Sequence, residues 1–260
     1  MTRPLIVLFT DFGLEGPYVG QMKAVLHREA PLAAVVDLFH DAPAHDPKPS
    51  AYLLAAYAEA FPGDAVFLCV VDPGVGSATR RPVAAQADGR WYVGPDNGLF
   101  AIVARRARTP HWWAIEAPPG RLSASFHGRD LFAPEAGRLA RGEPPSGERL
   151  PGTTGPGDDW PDDLAQIVYI DHFGNAITGL RARSLRPGQN LAVNGVALAP
   201  ARAFADVPAG QPFWYENSNG LAEIAVNRGR ADEALGLAVG APVSVSEAQE
   251  TYSGPASGER

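Results

Sequence analysis

The chain has 260 residues, 45% of them apolar and 20% charged, with a net charge of −7, enough for one large soluble domain or two modest ones. The acidic balance, with no basic run longer than Arg80-Arg81 or Arg105-Arg106, excludes bulk nucleic-acid binding. The single cysteine, Cys69, excludes an internal disulfide and reads as the buried thiol of a cytoplasmic protein.

Leu5 to Phe9 reads as a buried strand. It is too short for a signal peptide and is interrupted by Thr10-Asp11, so none is expected. Pro17 to Glu29 predicts a helix with Val19, Met22, Val25 and Leu26 on one face. Ala33 to Phe39 is a second strand, Ser50 to Phe61 an alanine-rich helix, and Ala65 to Val71 a third strand. Val83 to Val93 predicts a hairpin turning at Asp88-Gly89, and Asn97 to Arg108 and Leu131 to Arg141 read as helices. Alternating strands and helices predict an α/β fold: a Rossmann-like, mainly parallel sheet flanked by helices over residues 1–142. Residues 143–163, rich in Pro, Gly, Ser and Asp, read as a linker. Residues 164–260 carry short apolar runs split by turns, which predict a smaller β-barrel-like domain with a tail that frays from Glu247. No segment approaches transmembrane length, so no membrane partner is expected.

Four polar clusters carry the candidate chemistry. In VVDPGVGSATRR, Val70 to Arg81, an apolar run stops abruptly at Asp72. A buried parallel strand delivers a carboxylate to the carboxyl edge of a sheet in this way, beside the crevice where open α/β sheets bind ligands. Arg80 lies within loop reach of that acid, and on spacing alone the pair reads equally as a structural salt bridge. In FTDFG, Phe9 to Gly13, Asp11 follows the first strand and can accept two hydrogen bonds from a ribose diol, or can simply cap the next turn. In SFHGRD, Ser125 to Asp130, His127 precedes a helix, where Ser125 or Asp130 can serve as a plain cap. The fourth cluster, IDHFGNAITG and YENSNGLAEIAVN, places amides and carboxylates in turns between strands. Such turns are usually solvated, but their polar density suits a purine or an amino-acid zwitterion. A phosphate loop, a GxGxxG turn and a nucleophile elbow are absent. The six histidines show no zinc spacing, so no metal and no cofactor is expected. His40, Asp41, His45 and Asp46 read as a loop on the rim of the site rather than as metal ligands.

Taken in order, FTDFG, HDAPAHD, VVDPGVG, GPDNGLF, FHGRD, IDHFGN and ENSNGLAEIAVN resemble the S-adenosyl-L-methionine hydroxide adenosyltransferase family, relatives of the fluorinases and chlorinases. The resemblance covers nearly the whole chain. It implies hydrolysis of S-adenosyl-L-methionine to adenosine and L-methionine by in-line attack of an activated water or hydroxide at C5′. It implies an Asp–Arg–His set of Asp72, Arg80 and His127 that activates the water, with Arg81, which leads into the next strand, the neighbouring alternative to Arg80. The Ser77-Ala78-Thr79 stretch makes this loop one residue longer than is common in such hydrolases. By the same resemblance Asp11 holds the ribose hydroxyls and Phe204 stacks on adenine. Asp171, Asn175, Ser218 and Glu223 contact the adenosine or methionine portions, and backbone near Val226 and Asn227 reads the adenine edge. Gly16 and Tyr18 depart from the acid and hydroxyl that halogenases use near methionine. The family also implies a homotrimer with active sites shared between subunits. The competing expectations are a halide-dependent adenosyl transferase and a non-catalytic adenosine or S-adenosylmethionine binder.

Overall fold

The strand-like runs of the first half assemble into one sheet. The computed structural model describes residues 3–77, 80–117, 120, 122–152 and 155–247. The tail expected to fray lies outside the described residues beyond Glu247, as do Ala78 and Thr79. The chain divides into two units, Met1–Leu164 and Ala165–Arg260.

In the first unit β1 (Leu5–Thr10), α1 (Tyr18–Glu29), β2 (Ala34–Phe39), α2 (Pro47–Tyr57) and β3 (Val66–Val70) alternate. They are followed by β4 (Pro82–Ala87), β5 (Arg90–Pro95), α3 (Ala101–Arg106), β6 (His111–Ala114), α4 (Ala133–Ala140) and β7 (Arg149–Leu150). The seven strands run in the order β2-β1-β3-β5-β4-β6-β7. Pairing is parallel from β2 through β5 and antiparallel from β5 to β7. The sheet is therefore mixed, where the sequence predicted a mainly parallel one. The physical reason is the turn at Asp88 (φ 48°) and Gly89 (φ 91°). Two consecutive positive φ values reverse the chain within a two-residue hairpin, whereas a parallel neighbour needs a long crossover.

Both faces of the parallel half are covered, which is why β3 is apolar at every position and β1 at all but its last, Thr10. Ile6, Leu8, Val66, Leu68 and Val70 pack under Met22, Val25 and Leu26 of α1 and Ala133 and Ala136 of α4. The alternate residues face aromatic neighbours: Phe9 meets Phe39, which meets Tyr57 of α2, and Phe67 stacks on Tyr92 at 5.1 Å. The predicted helix from Asn97 is shorter than expected. Its first residues form a turn in which the Asn97 side chain accepts from Leu99 N–H and donates to the Val71 carbonyl. Residues read as a linker carry β7, and the guanidinium groups of Arg105 and Arg106 bind the carbonyls of Gly157, Trp160 and Asp162.

The second unit contains β8 (Leu164–Ile170), β9 (Ala176–Arg181), β10 (Asn190–Val193), β11 (Val196–Leu198), β12 (Pro212–Glu216), β13 (Leu221–Val226), α5 (Ala231–Leu235) and β14 (Ser244–Ser246). One sheet runs β12-β13-β9-β8 and a smaller one β11-β10-β14. They enclose a core that includes Ile167, Leu191, Trp214 and Ile224. Among the described residues no helix is long and apolar enough to cross a membrane.

Leu68 is fully buried in the middle of the first sheet, whereas Leu32 is 79% exposed. Leu68→Ala should lower unfolding free energy by about 2–5 kcal/mol, and Leu32→Ala should leave it nearly unchanged. Urea unfolding of the two variants checks this. Equal losses would contradict the assigned core.

Candidate active site

The neighbouring parallel strands β1 and β3 bring two carboxylates to the same edge of the sheet. Asp11 N–H donates to Val70 O at 3.3 Å, which aligns the two strand ends. Beyond β3 the chain turns through Asp72–Ser77, with Val75 N–H on the Asp72 carbonyl and Ser77 N–H on the Gly74 carbonyl. Gly76 sits at φ +81°, and a Cβ there would lie 2.6 Å from the Ala124 carbonyl. Only glycine lets this turn lie against the segment that leads to His127. A π-helical turn, Gly128–Phe132, follows His127 directly and runs into α4. Turns of this kind are frequent at functional sites.

Arg80 links these elements. Its Nη2 lies 2.8 Å from Asp72 Oδ2, and the two side chains are only 6% and 4% exposed. The same Nη2 lies 2.8 Å from His127 Nδ1. The Arg80 guanidinium also lies 5.5 Å from the centre of the Phe132 ring. Among the described residues, both Asp72 oxygens and Arg80 Nε and Nη1 are buried without a hydrogen-bond partner. The Asp72–Arg80 contact is thus a close ion pair whose angle is poor for a hydrogen bond. Buried polar atoms rarely go unsatisfied, and these retain capacity for a ligand or water. Arg81, by contrast, is exposed.

Burial pushes the Asp72 carboxyl above its ordinary value of 3.8; Arg80 opposes the shift and Asp11 adds to it. Burial, then the Arg80 charge, pushes the His127 imidazole below 6.5. An arginine has only donors, so His127 Nδ1 accepts from Arg80. A neutral ring then carries its proton on Nε2. The site therefore pairs a proton-accepting carboxylate with an imidazole that offers an N–H.

Asp72 and His127 line a cavity of about 560 Å³ with Asp11, Ser123, Ser125 and His45. Asp11 Oδ2 accepts from His45 N–H at 3.0 Å, so the HDAPAHD loop does border the cavity. Phe12, Tyr18 and Phe126 form an aromatic wall, with ring centres 5.2–6.0 Å apart. Among the described residues no cluster of three or more His, Cys, Asp or Glu is arranged to hold a metal ion.

The second unit holds a separate cavity of about 900 Å³, lined by Asp171, Asn175, Phe204, Ser218, Glu223 and Val226 together with Tyr215 and Asn217. Asp171 accepts from Phe173 N–H, Asn175 N–H and the Asn175 amide at 2.8–3.2 Å. Glu223 is 4% exposed and accepts from Tyr215 Oη at 2.5 Å and Asn217 Nδ2 at 2.9 Å. Burial raises its pKa, and hydrogen bonds from Tyr215 and Asn217 oppose the rise. Phe204 presents an edge-on contact to Phe213 and Tyr215. Asn227 does not line this cavity. Its amide donates to Val207 O and its N–H to Gln211 O, bonds that tie a turn. Tyr215 and Asn217 lie in the YENSNGLAEIAVN cluster but are not among the residues to which the resemblance gives a role. The polar residues spaced along WYEN (214–217), beside buried Trp214, were the available signal.

A sheet-edge carboxylate, a guanidinium and an imidazole in one cluster, on an α/β unit followed by a β-rich unit, define the class as a two-unit α/β enzyme. The chain belongs to the SAM hydroxide adenosyltransferase family: the family's N-terminal domain matches residues 6–148 and its C-terminal domain residues 165–244. It is 46% identical to the (R)-S-adenosyl-L-methionine hydrolase of Thermus thermophilus, over 93% of this chain and 98% of that one. Its identity to the enzyme of the same name from Salinispora arenicola is 38%, over 94% and 98%. The crystal structure of an uncharacterized conserved protein from Thermotoga maritima superposes with a TM-score of 0.84 at 29% identity, covering 93% of this chain and all (100%) of that one.

Arg80→Ala leaves Asp72 as an unpaired buried charge and should cost about 3–5 kcal/mol of stability at neutral pH. Arg81→Ala, at an exposed position, should stay within about 0.5 kcal/mol of the parent. Urea denaturation of the two variants compares them, and similar losses would contradict the assignment of Arg80 to the buried pair.

Proposed function

We propose that the protein hydrolyses S-adenosyl-L-methionine to adenosine and L-methionine by in-line attack of water at C5′. The observation that carries the reading is the buried Asp72–Arg80–His127 cluster in a chain of this family. The sulfonium makes methionine a neutral thioether leaving group, which needs no acid to depart. What remains is to hold a water in line and take its proton. Positioning of that kind is worth roughly 7–11 kcal/mol of barrier. Asp72 accepts the proton, a task its raised pKa favours. His127 Nε2–H points the water's lone pair at C5′, and Arg80 holds both partners while stabilising developing hydroxide. Attack by a halide would require no proton acceptor, so a buried, proton-accepting Asp72 favours water as the nucleophile.

In this reading Asp11 binds the ribose hydroxyls and Phe204 stacks on adenine. Asp171, Asn175, Ser218 and Glu223 bind the remaining polar groups, and the Val226 backbone reads the adenine edge. Asn227 braces the turn behind it. The two cavities then act as half-sites, brought together between subunits of a homotrimer, the first unit Rossmann-like and the second barrel-like. A cytoplasmic setting accords with the free, buried Cys69.

Asp72→Asn should lower kcat by about 10²–10⁴ with little change in KM. Asp72 works only when ionised, so kcat should rise with pH through its pKa, and this acid limb should lie above the ordinary carboxylate value of 3.8. The limb should vanish in Asp72→Asn. Adenosine release measured by chromatography across pH checks both outcomes, and unchanged kcat in the variant would overturn the role. Mixing inactive Asp72 and Ser218 variants should restore part of the activity, and no restoration in verified mixed trimers would rule out shared sites.

A further inference from the structure

Behind Asp11 lies a polar chain that the proposed chemistry does not use. Thr10 is fully buried and His40 is 7% exposed, in a part of the sheet that is otherwise apolar. The Thr10 hydroxyl accepts Phe12 N–H at 3.3 Å and lies 2.8 Å from His40 Nδ1. The Asp37 carboxylate can only accept, so a neutral His40 ring donates from Nε2 and its Nδ1 accepts the Thr10 hydroxyl hydrogen. The ring proton then sits on Nε2 and donates to Asp37 Oδ1 at 2.9 Å. The second Asp37 oxygen is held by Lys23 Nζ at 2.5 Å. Each link thus has one orientation, running from Phe12 N–H to Asp37.

Backbone bonds reinforce the same connection. Gly13 N–H donates to the His40 carbonyl at 2.7 Å, and Ala42 N–H to the Thr10 carbonyl at 3.1 Å. The His45 N–H that binds Asp11 Oδ2 belongs to the loop His40 begins, at a residue whose own φ is 60°. Both neighbours of Asp11 are therefore tied to His40, one through the Thr10 hydroxyl and the other through that hydroxyl's bond to Phe12 N–H.

We infer that His40 is a positioning residue for Asp11: buried His40 and Thr10 form, with the exposed Asp37, an Asp–His–Thr relay that sets the direction of the Asp11 carboxylate into the cavity. The relay never touches substrate. Its effect is on how well Asp11 meets a vicinal diol, because a carboxylate bound to both hydroxyls needs a fixed orientation while one bound to a single hydroxyl does not. The inference rests on the reading that Asp11 binds ribose.

The test is the ratio of affinities for adenosine and 2′-deoxyadenosine, measured by calorimetry on the full-length protein. Asp11→Ala should bring the ratio close to one. His40→Ala and the near-isosteric Thr10→Val should each reduce it by about tenfold, the scale of a hydrogen bond to a charged group. His40→Gln, which keeps an amide in the relay, should recover part of it. Neither His40→Ala nor Thr10→Val should reduce the ratio further in an Asp11→Ala background. A general loss of folded protein would weaken both nucleosides alike and leave the ratio intact, so a wild-type ratio in His40→Ala and Thr10→Val, with Asp11→Ala still showing its loss, overturns the relay. A wild-type ratio in Asp11→Ala itself overturns the ribose assignment and the inference with it. Should His40→Ala fail to fold, Thr10→Val decides the question.

Discussion

The first unit turns on one buried contact, the ion pair between Asp72 and Arg80. A carboxylate placed at the end of an apolar strand loses its hydration, and burial raises its pKa above the ordinary value. Arg80 keeps the charged form accessible, and the same Nη2 atom engages His127 Nδ1. One guanidinium thus decides two protonation questions at once. It opposes the rise in the carboxylate's pKa, and, together with burial, it disfavours the charged imidazole, whose neutral ring carries its N–H on Nε2. Geometry at this point also explains local features that would otherwise be costly. The Gly76 turn and the π-helical turn after His127 are the means by which chain segments far apart in sequence bring three polar side chains together. Buried polar atoms left without partners in this cluster oppose stability, as is common where a site retains bonding capacity for a ligand.

The second unit solves a different problem. Its cavity is organised around carboxylates whose bonds are already satisfied within the unit: Asp171 by backbone and Asn175, Glu223 by Tyr215 and Asn217. Such bonds hold both carboxylates in fixed orientations. The oxygens of Asp72 differ: they are buried without partners among the described residues and retain bonding capacity.

Much of this was legible in the sequence, for identifiable reasons. Buried strands β1 and β3 announce themselves because a strand covered on both faces is a near-continuous apolar run, broken in β1 only by its last residue, Thr10, and Asp88-Gly89 because few other dipeptides accept two positive φ values. Asp72 was legible as a polar break at a strand end. Less visible was β6, four residues of mixed aromatic and polar character, and β9, whose apolar residues include a glycine and follow a polar turn without clear alternation. The mixed sheet was missed because the hairpin's effect on strand direction depends on where β5 inserts, beside β3 rather than outside β4. In the site, spacing left Arg80 and Arg81 as alternatives. Only the folded loop shows which one is buried, since the Arg80–His127 contact joins residues 47 positions apart. The same holds for the Asn227 side chain, whose partner, the Val207 carbonyl, lies 20 positions away and is visible only in the fold.

The central claim is that water, activated beside Asp72, attacks C5′ of S-adenosyl-L-methionine. Its most direct test is a single-turnover reaction in ¹⁸O-labelled water followed by mass analysis of both products. The mechanism predicts one ¹⁸O atom in the 5′-hydroxyl of adenosine and none in L-methionine. Unlabelled adenosine, or label carried by any other product, would contradict it.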